Sequence, residues 1–335
     1  MEQITTGKKI VAIGGGTGTF TLVKGLHDYT NFTIASVVTM ADDGGSNKVL
    51  RDEFGLLPTS GIRQSIVALA QDEGLLRKLF EYRYYQGIGI SGMTFGNLFM
   101  AALADILGSQ KQAIKETGKL LGIRGRVLPV SYENTSLVAT YTDGTEVLGE
   151  HYIDLSSPKV SHQRITSLRT IPKIMIDSDA KEAISQADYI IFGPGDLYTN
   201  TIANLVVDGV RDAVQESHAH IIFVMNLMSR AGETYNYTAR DHMDDLSQYL
   251  DPKRINTILV NNDLTLSKET QEAYSAEGSM LVHDDLGEKW HSARIIRTAL
   301  RSHYTPEKVK GDVLARSIVR HDQRLLAEAI REIAG

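Results

Sequence analysis

The sequence contains no cysteine, which excludes disulfides and thiolate metal sites and leaves histidines and carboxylates as metal ligands. It also lacks a basic surplus: 35 Lys and Arg stand against 41 Asp and Glu, for a net charge of −6. A nucleic-acid binder ordinarily carries the opposite balance, so no nucleic-acid partner is expected. Long apolar runs are scarce. The longest uncharged stretch, Tyr84 to Ala104, carries Gln86, Ser91, Thr94, Asn97 and four glycines. That content suits a buried loop followed by a helix better than a membrane span. The first strand-like run, Lys9 to Ile13, opens almost at once with no signal peptide ahead of it, so a cytoplasmic setting is expected.

What is present reads as a globular α/β chain, with 42% hydrophobic and 23% charged residues. Lys9–Ile13, a glycine loop, Phe20, Leu22, Val23 and Leu26 at helical spacing, and Phe32–Val38 make a βαβ unit. Residues 47 to 120 read as mostly helical. From 126 to 172 the pattern turns strand-like, over Val127–Val130, Leu137–Tyr141 and Val147–Ile153, with Asp143-Gly144 as a hairpin signal. The α/β pattern then returns with strands at Tyr189–Phe192, Ile221–Met225 and Ile255–Val260, and a helical tail from Pro306 to Ile333. The fold class expected is a doubly wound, mostly parallel, Rossmann-like sheet. Residues 1–335 are expected to form a single domain, with 126–172 as an antiparallel β excursion and a helical region before it.

Four loops follow strands. Gly14-Gly15-Gly16-Thr17-Gly18 stands between a strand and a helix, where glycines allow a phosphate to approach the amides at the helix N-terminus. It lacks the last glycine of the dinucleotide fingerprint and the Gly-Lys-Ser/Thr of a P-loop. Asp42-Asp43-Gly44-Gly45-Ser46 follows the second strand. Its paired carboxylates could hold Mg²⁺, orient a hydroxyl nucleophile or accept from a ribose, and a solvated turn is the competing reading. Gly193-Pro194-Gly195-Asp196-Leu197-Tyr198-Thr199 and Asn226-Leu227-Met228 complete one edge, where open α/β sheets bind ligands. Asn97 opens a helix aimed at the same edge, or caps it. Arg51, Arg63, Arg124 and Arg126 are candidate phosphate clamps. The Asp241-His242 pair has the character of a structural pair.

Taken in order, these motifs resemble the bacterial gluconeogenesis factor family, in the superfamily of 2-phospho-L-lactate transferase. The resemblance runs through Tyr82-Arg83-Tyr84, Phe95–Leu98, Arg124–Pro129, Gly232-Glu233-Thr234, Tyr237-Thr238 and Arg320-His321-Asp322 as well as the four loops, covering nearly the whole chain. It implies a nucleotide or UDP-sugar ligand, a cytoplasmic setting and a role in cell shape and in growth on non-glycolytic carbon. Asn47-Lys48-Val49, Gly61 and Met93 depart from the family pattern, where Ser-Gly-Arg, Asp and His are usual. Ligand binding is therefore expected to outlast family-type chemistry.

Three functions compete. The first is a nucleotide-sugar-binding regulatory protein. The second is a transferase moving a phosphoester group from a nucleotide diester donor to a hydroxyl, with Asp42 or Asp43 catalytic. The third is an NAD(P)-dependent oxidoreductase, resting only on the strand–glycine–helix start. The ligand set expected is Gly14, Gly15, Gly16, Thr17, Gly18, Gly44, Ser46, Arg63, Asn97, Arg126, Gly193, Gly195, Tyr198 and Asn226. No cofactor is required by the sequence, Mg²⁺ is compatible with it, and a homo-oligomer is open.

Overall fold

The computed structural model describes residues 7–71, 74–155, 157, 159–304 and 318–335, and of Gly45, Ser46, Lys48, Glu53 and Phe54 the backbone alone. In chain order the elements are β1 (Lys8–Gly14), α1 (Gly16–His27), β2 (Phe32–Val38), α2 (Gly45–Phe54), α3 (Ser60–Leu69), α4 (Leu75–Glu81), α5 (Phe95–Leu107), α6 (Gln110–Leu120) and β3 (Arg126–Pro129). Then come β4 (Ser136–Tyr141), β5 (Glu146–Leu148), α7 (Glu150–Asp154), β6 (Ile165–Ile171), α8 (Ser178–Ser185), β7 (Tyr189–Phe192), a π-helical turn Leu197–Ile202, α9 (Ala203–Leu205) and α10 (Val210–Glu216). The rest is β8 (His220–Val224), α11 (Ala239–Leu246), β9 (Ile255–Asn261), α12 (Lys268–Ala276), β10 (Lys289–Trp290), β11 (Ala293–Thr298) and α13 (Gln323–Ala334).

The main sheet has eight strands in the order β10-β11-β9-β8-β7-β1-β2-β3, all parallel except β10. Its inner strands are covered on both sides, so they read as continuous apolar runs rather than alternating ones. Along β1, Ile10 and Ala12 face a layer built with Leu22 and Leu26 of α1, Ile62 and Ile66 of α3 and Leu326 and Ile330 of α13. Val11 and Ile13 face the opposite layer, with Ala180 and Ile184 of α8, Val210 and Val214 of α10 and Leu137 of β4. The doubly wound, mostly parallel sheet expected from the sequence is thus the fold. From β1 the chain builds outward through β2 and β3 on one side and through β7, β8 and β9 on the other. The boundary between β1 and β7 is a topological switch point, the place in such sheets where a crevice opens.

Several local expectations are corrected. Arg126–Pro129 pairs in parallel with Ala35–Val38, so it belongs to the main sheet. The antiparallel excursion is the separate sheet β5-β4-β6, whose β4 and β5 flank the Asp143-Gly144 turn. Val147–Ile153 is not one strand. Gly149 has φ 101°, which ends β5, and Glu150–Asp154 coils into a helical turn on whose His151 amide the Asp43 carboxylate sits at 2.8 Å. The Tyr84–Ala104 stretch is buried only in its second half. Tyr85 to Ser91 is exposed, with Gly87 and Gly89 at positive φ turning the chain through solvent. In the tail, Asp322 caps α13 through the amides of Arg324 and Leu325, so Ile318 to Asp322 is not helical. Residues 305–317 lie outside the described residues.

Candidate functional site

A cavity of about 480 Å³ opens at the carboxyl ends of β1, β2, β7 and β8. That is within the usual size of a small-ligand pocket. Its floor starts with the β1–α1 turn. The Gly14 carbonyl is held by Thr39 N at 3.1 Å and by Asn204 Nδ2 at 3.1 Å, which locks the strand end beneath the lining. Gly15 N is taken by Thr19 Oγ1 at 2.9 Å. Gly16 has φ 63°, a conformation glycine alone adopts without strain. A Cβ on Gly18 would lie 2.2 Å from the Pro194 carbonyl oxygen, so the two glycine loops touch backbone to backbone. Gly15, Gly16, Thr17 and Gly18 line the cavity, and the first turn of α1 carries no acid.

The second wall comes from the loop after β2 and from α3. Asp42 lines the cavity and its Oδ1 accepts from Gly44 N at 3.0 Å; burial raises its pKa above the usual carboxylate range. Asp43 is buried away from the lining under α7, so the two acids do not converge on one point. Asn47 Oδ1 accepts from Thr59 N at 3.1 Å, Ser60 N at 3.2 Å and Ser60 Oγ at 3.0 Å, tying α2 to the start of α3. Arg63 lines the cavity, and its Nε donates to Asn97 Oδ1 at 3.1 Å. Asn97 itself is 1% exposed; its amide donates to Ser60 Oγ at 3.1 Å.

The cavity also has an acidic wall. Glu150 and Asp154 of α7 and Asp196 of the loop after β7 line it, and Glu233, from the segment after β8, is buried against them. Asp154, Asp196 and Glu233 each bring an oxygen within 4.8 Å of the others, so they could hold a cation. Arg230 supplies positive charge there, 2.5 Å from Asp154 and 3.2 Å from Asp196. Glu233 is fully buried; it accepts from Thr199 Oγ1 at 2.7 Å and from the Tyr198 amide at 3.1 Å. Burial and the neighbouring Asp196 push its pKa up to about 8. Burial, partly offset by Arg230, pushes Asp154 up to about 6, and burial beside Asp42 drives Glu150 well above its usual range.

Of the residues singled out in the sequence, Gly15, Gly16, Thr17, Gly18, Gly44, Arg63, Gly195, Asn226 and Asp42 line one cavity. Six do not. Gly14 and Gly193 are strand-end backbone beneath it, and Asp43 and Asn97 act through His151 and Arg63. Tyr198 turns into the core, its hydroxyl donating to Asp245 at 2.6 Å and lying 2.9 Å from the Ile165 carbonyl. Arg126 starts β3 level with Ala35, below the carboxyl edge, and pairs with Glu182 at 3.8 Å. The Ser46 side chain lies outside what is described. Among the four arginines weighed as clamps, only Arg63 reaches the lining. Asp241 completes a capping box with Thr238, and His242 is buried against the Thr238 carbonyl, so that pair is structural. Missed were Glu150, Asp154, Asp196, Arg230, Glu233 and His321. Glu233 and His321 lie inside motifs of the resemblance, and Asp196 inside the third loop, so a signal existed for those three.

The sheet order and the cleft define a doubly wound α/β protein with a cavity at its switch point. The family model described as 2-phospho-L-lactate transferase CofD matches residues 10–301, and the chain belongs to that family. A Thermotoga maritima protein is 42% identical over 97% of this chain and 99% of its own length. The Bacillus subtilis protein named gluconeogenesis factor is 34% identical over 97% of this chain and 98% of its own. A crystal structure of a Bacillus halodurans protein superposes with a TM-score of 0.86 at 34% identity, covering 97% of this chain and 99% of that one. Among the described residues, no helix is long and apolar enough to cross a membrane.

Proposed function

We propose that this chain binds a nucleotide sugar of the UDP-sugar class in the switch-point cleft and serves as a cytoplasmic gluconeogenesis factor rather than as a fast catalyst. The observation that carries the reading is the α1 N-terminus, whose Gly16, Thr17 and Gly18 line a cavity of ligand size and which has no first-turn acid. Charge then orients the ligand. A phosphate oxygen 4 Å from a carboxylate is repelled by about 4 kcal/mol at an effective dielectric of 20. The diphosphate therefore belongs on the α1 and Arg63 side, away from Asp154. Asp154, with a pKa of about 6, is mostly ionised at neutral pH and then only accepts, so this wall suits donors without charge, which is what sugar hydroxyls are. Relatives named gluconeogenesis factor support the carbon-source part: loss of the protein should impair growth on non-glycolytic carbon.

A transferase reading draws on the name of the matching family model and on Asp42 at the edge of the phosphate subsite. Gly61 and Met93 both line the cavity, and neither can exchange a proton at neutral pH. That favours binding over turnover. Thermal melts against UDP-sugars, GDP, NAD and NADP test the proposal. A ligand at a hundredfold its Kd stabilises the folded state by about 2.7 kcal/mol. A UDP-sugar should raise Tm and the nicotinamide dinucleotides should not. Stabilisation by NAD or NADP alone would end this reading.

A further inference from the structure

The loop after β7 coils into the π-helical turn Leu197–Ile202, where the amides of Asn200 and Thr201 both donate to the Asp196 carbonyl at 3.1 Å. Single π turns recur at functional sites. Five of the six residues in this one are buried, and Asn200 alone is half-exposed, lining the cavity. Asn204 Nδ2 fixes its backbone, donating to the Asn200 carbonyl at 2.7 Å and to the Gly14 carbonyl at 3.1 Å. The Asn200 side chain lies over the β1–α1 turn. A Cβ on Gly15 would meet Asn200 Oδ1 at 2.5 Å, with the Thr39 methyl next at 3.1 Å. The Gly15 backbone is extended, at φ −178°, which any residue adopts. What calls for glycine there is the space the Asn200 oxygen fills. An amide can present either end, and here Asp196 decides which. Its carboxylate, ion-paired with Arg230 at 3.2 Å, accepts from Asn200 Nδ2 at 3.3 Å, so the nitrogen faces the acid and the oxygen faces the turn. Among the described residues no group donates to Oδ1, and it is not one of the buried unpaired atoms, so its lone pairs open on the cavity.

Resting on the nucleotide-sugar reading, we propose that Asn200 Oδ1 accepts a hydrogen bond from a sugar hydroxyl of the ligand, on the ribose or on the hexose, next to the diphosphate. The turn that this oxygen covers is the one that holds the diphosphate. In a nucleotide sugar both neighbours of the diphosphate are sugars, so a group beside the phosphates meets hydroxyls before it meets the base. A phosphate oxygen does not suit Oδ1, because two acceptors repel, and the Asp196 carboxylate stands on the other side of the same amide. Asn200 thereby selects what is esterified to the diphosphate, and Gly15 makes room for it.

Calorimetric titration of wild type, Asn200→Ala, Gly15→Ala and the double variant with inorganic pyrophosphate, UDP and UDP-glucose tests this. Asn200→Ala should bind UDP-glucose about tenfold more weakly, the scale of a lost hydrogen bond, with pyrophosphate affinity unchanged. Gly15→Ala keeps the asparagine but takes the place of its oxygen, so it should lose about as much. The double variant should then lose no more than either single one, as expected of two changes that remove the same contact. If UDP loses as much as UDP-glucose in Asn200→Ala, the donor is a ribose hydroxyl. If UDP is unaffected, the donor is on the hexose. Unchanged UDP-glucose affinity in Asn200→Ala, an equal loss for pyrophosphate, or a double loss equal to the sum of the single ones overturns the assignment while leaving the cleft reading intact. A wild type that binds pyrophosphate but neither UDP nor UDP-glucose overturns both. Should Asn200→Ala fail to fold, Gly15→Ala carries the test: weakened UDP-glucose with pyrophosphate retained supports the assignment, and unchanged UDP-glucose affinity refutes it.

Discussion

Arg63 Nε donates to Asn97 Oδ1 at 3.1 Å across the gap between α3 and α5. The same asparagine reaches Ser60, and Ser60 reaches Asn47, so three helix N-termini converge on one guanidinium. Asn97 is therefore a positioning residue, which reaches the cavity through Arg63 and Ser60. Replacing Asn97 by Leu should weaken pyrophosphate and UDP alike, by about tenfold, because the arginine loses its aim. Asn97→Asp keeps the acceptor and should retain most of the affinity. Paired titrations of the two variants check this, and a Leu variant with full pyrophosphate affinity would show that Arg63 is held by other contacts.

Gly18 faces the Pro194 carbonyl at the place a side chain would start, 2.2 Å away. Backbone cannot step aside as a side chain can. Gly18→Ala should cost about 1–3 kcal/mol, as overpacking does, and should also separate the two glycine loops. Urea denaturation and UDP titration of the same sample should both show a loss. Intact stability with lost affinity would place the effect on the ligand rather than on the loop contact.

The two acids after β2 separate by role. Asp43 caps α7 through His151 N, so Asp43→Ala should lower stability by about 1 kcal/mol, the usual worth of a cap. Asp42 lines the cavity, so Asp42→Asn should leave stability nearly unchanged and alter ligand affinity or any turnover. Melting temperatures with calorimetry of both variants read this split. Equal effects of the two substitutions on affinity would contradict it.

The acidic wall gives stability a pH dependence whose sign is fixed. Glu233 has a folded pKa of about 8 and Asp154 one of about 6, both above their ordinary values. The folded state thus binds protons more tightly than the unfolded chain. Their contribution is greatest below the unfolded values and is lost as pH rises through the folded ones. Their contribution to stability should fall between pH 5 and pH 8, while His27, His220, His242 and His321, whose pKa values burial lowers, contribute stability that rises as pH passes the ordinary histidine value of about 6.5. Asp143, Asp241, Asp263 and Asp284 have lowered pKa values, and their contributions are lost only in more acidic solution, outside that window. Glu233→Gln should flatten the slope in urea melts across the window. A slope that the Gln variant leaves unchanged would refute the account.

What was legible in the sequence was local. A strand, a glycine turn and a helix are neighbours in the chain, so β1–α1–β2 and the loops after β2, β7 and β8 could be read directly. The helix α7 could not, since Val147–Ile153 has strand-like composition and the cap that coils it comes from Asp43, far away in sequence. The acidic wall was hidden for the same reason: Asp154, Asp196 and Glu233 meet only after three separate segments fold together. Arg126 misled because its residue type fits phosphate, while the register of β3 against β2 puts it below the ligand edge. Tyr198 misled because its loop reaches the cavity and its own side chain points the other way.

The central claim is that the β1–α1 turn anchors a nucleotide diphosphate. A crystal structure of the protein with a bound UDP-sugar tests it most directly. The account predicts a phosphate oxygen within about 3.2 Å, hydrogen-bond distance, of the amide nitrogen of Gly16, Thr17 or Gly18. A complex in which every phosphate lies more than about 6 Å from this turn, well beyond hydrogen-bond reach, would contradict it.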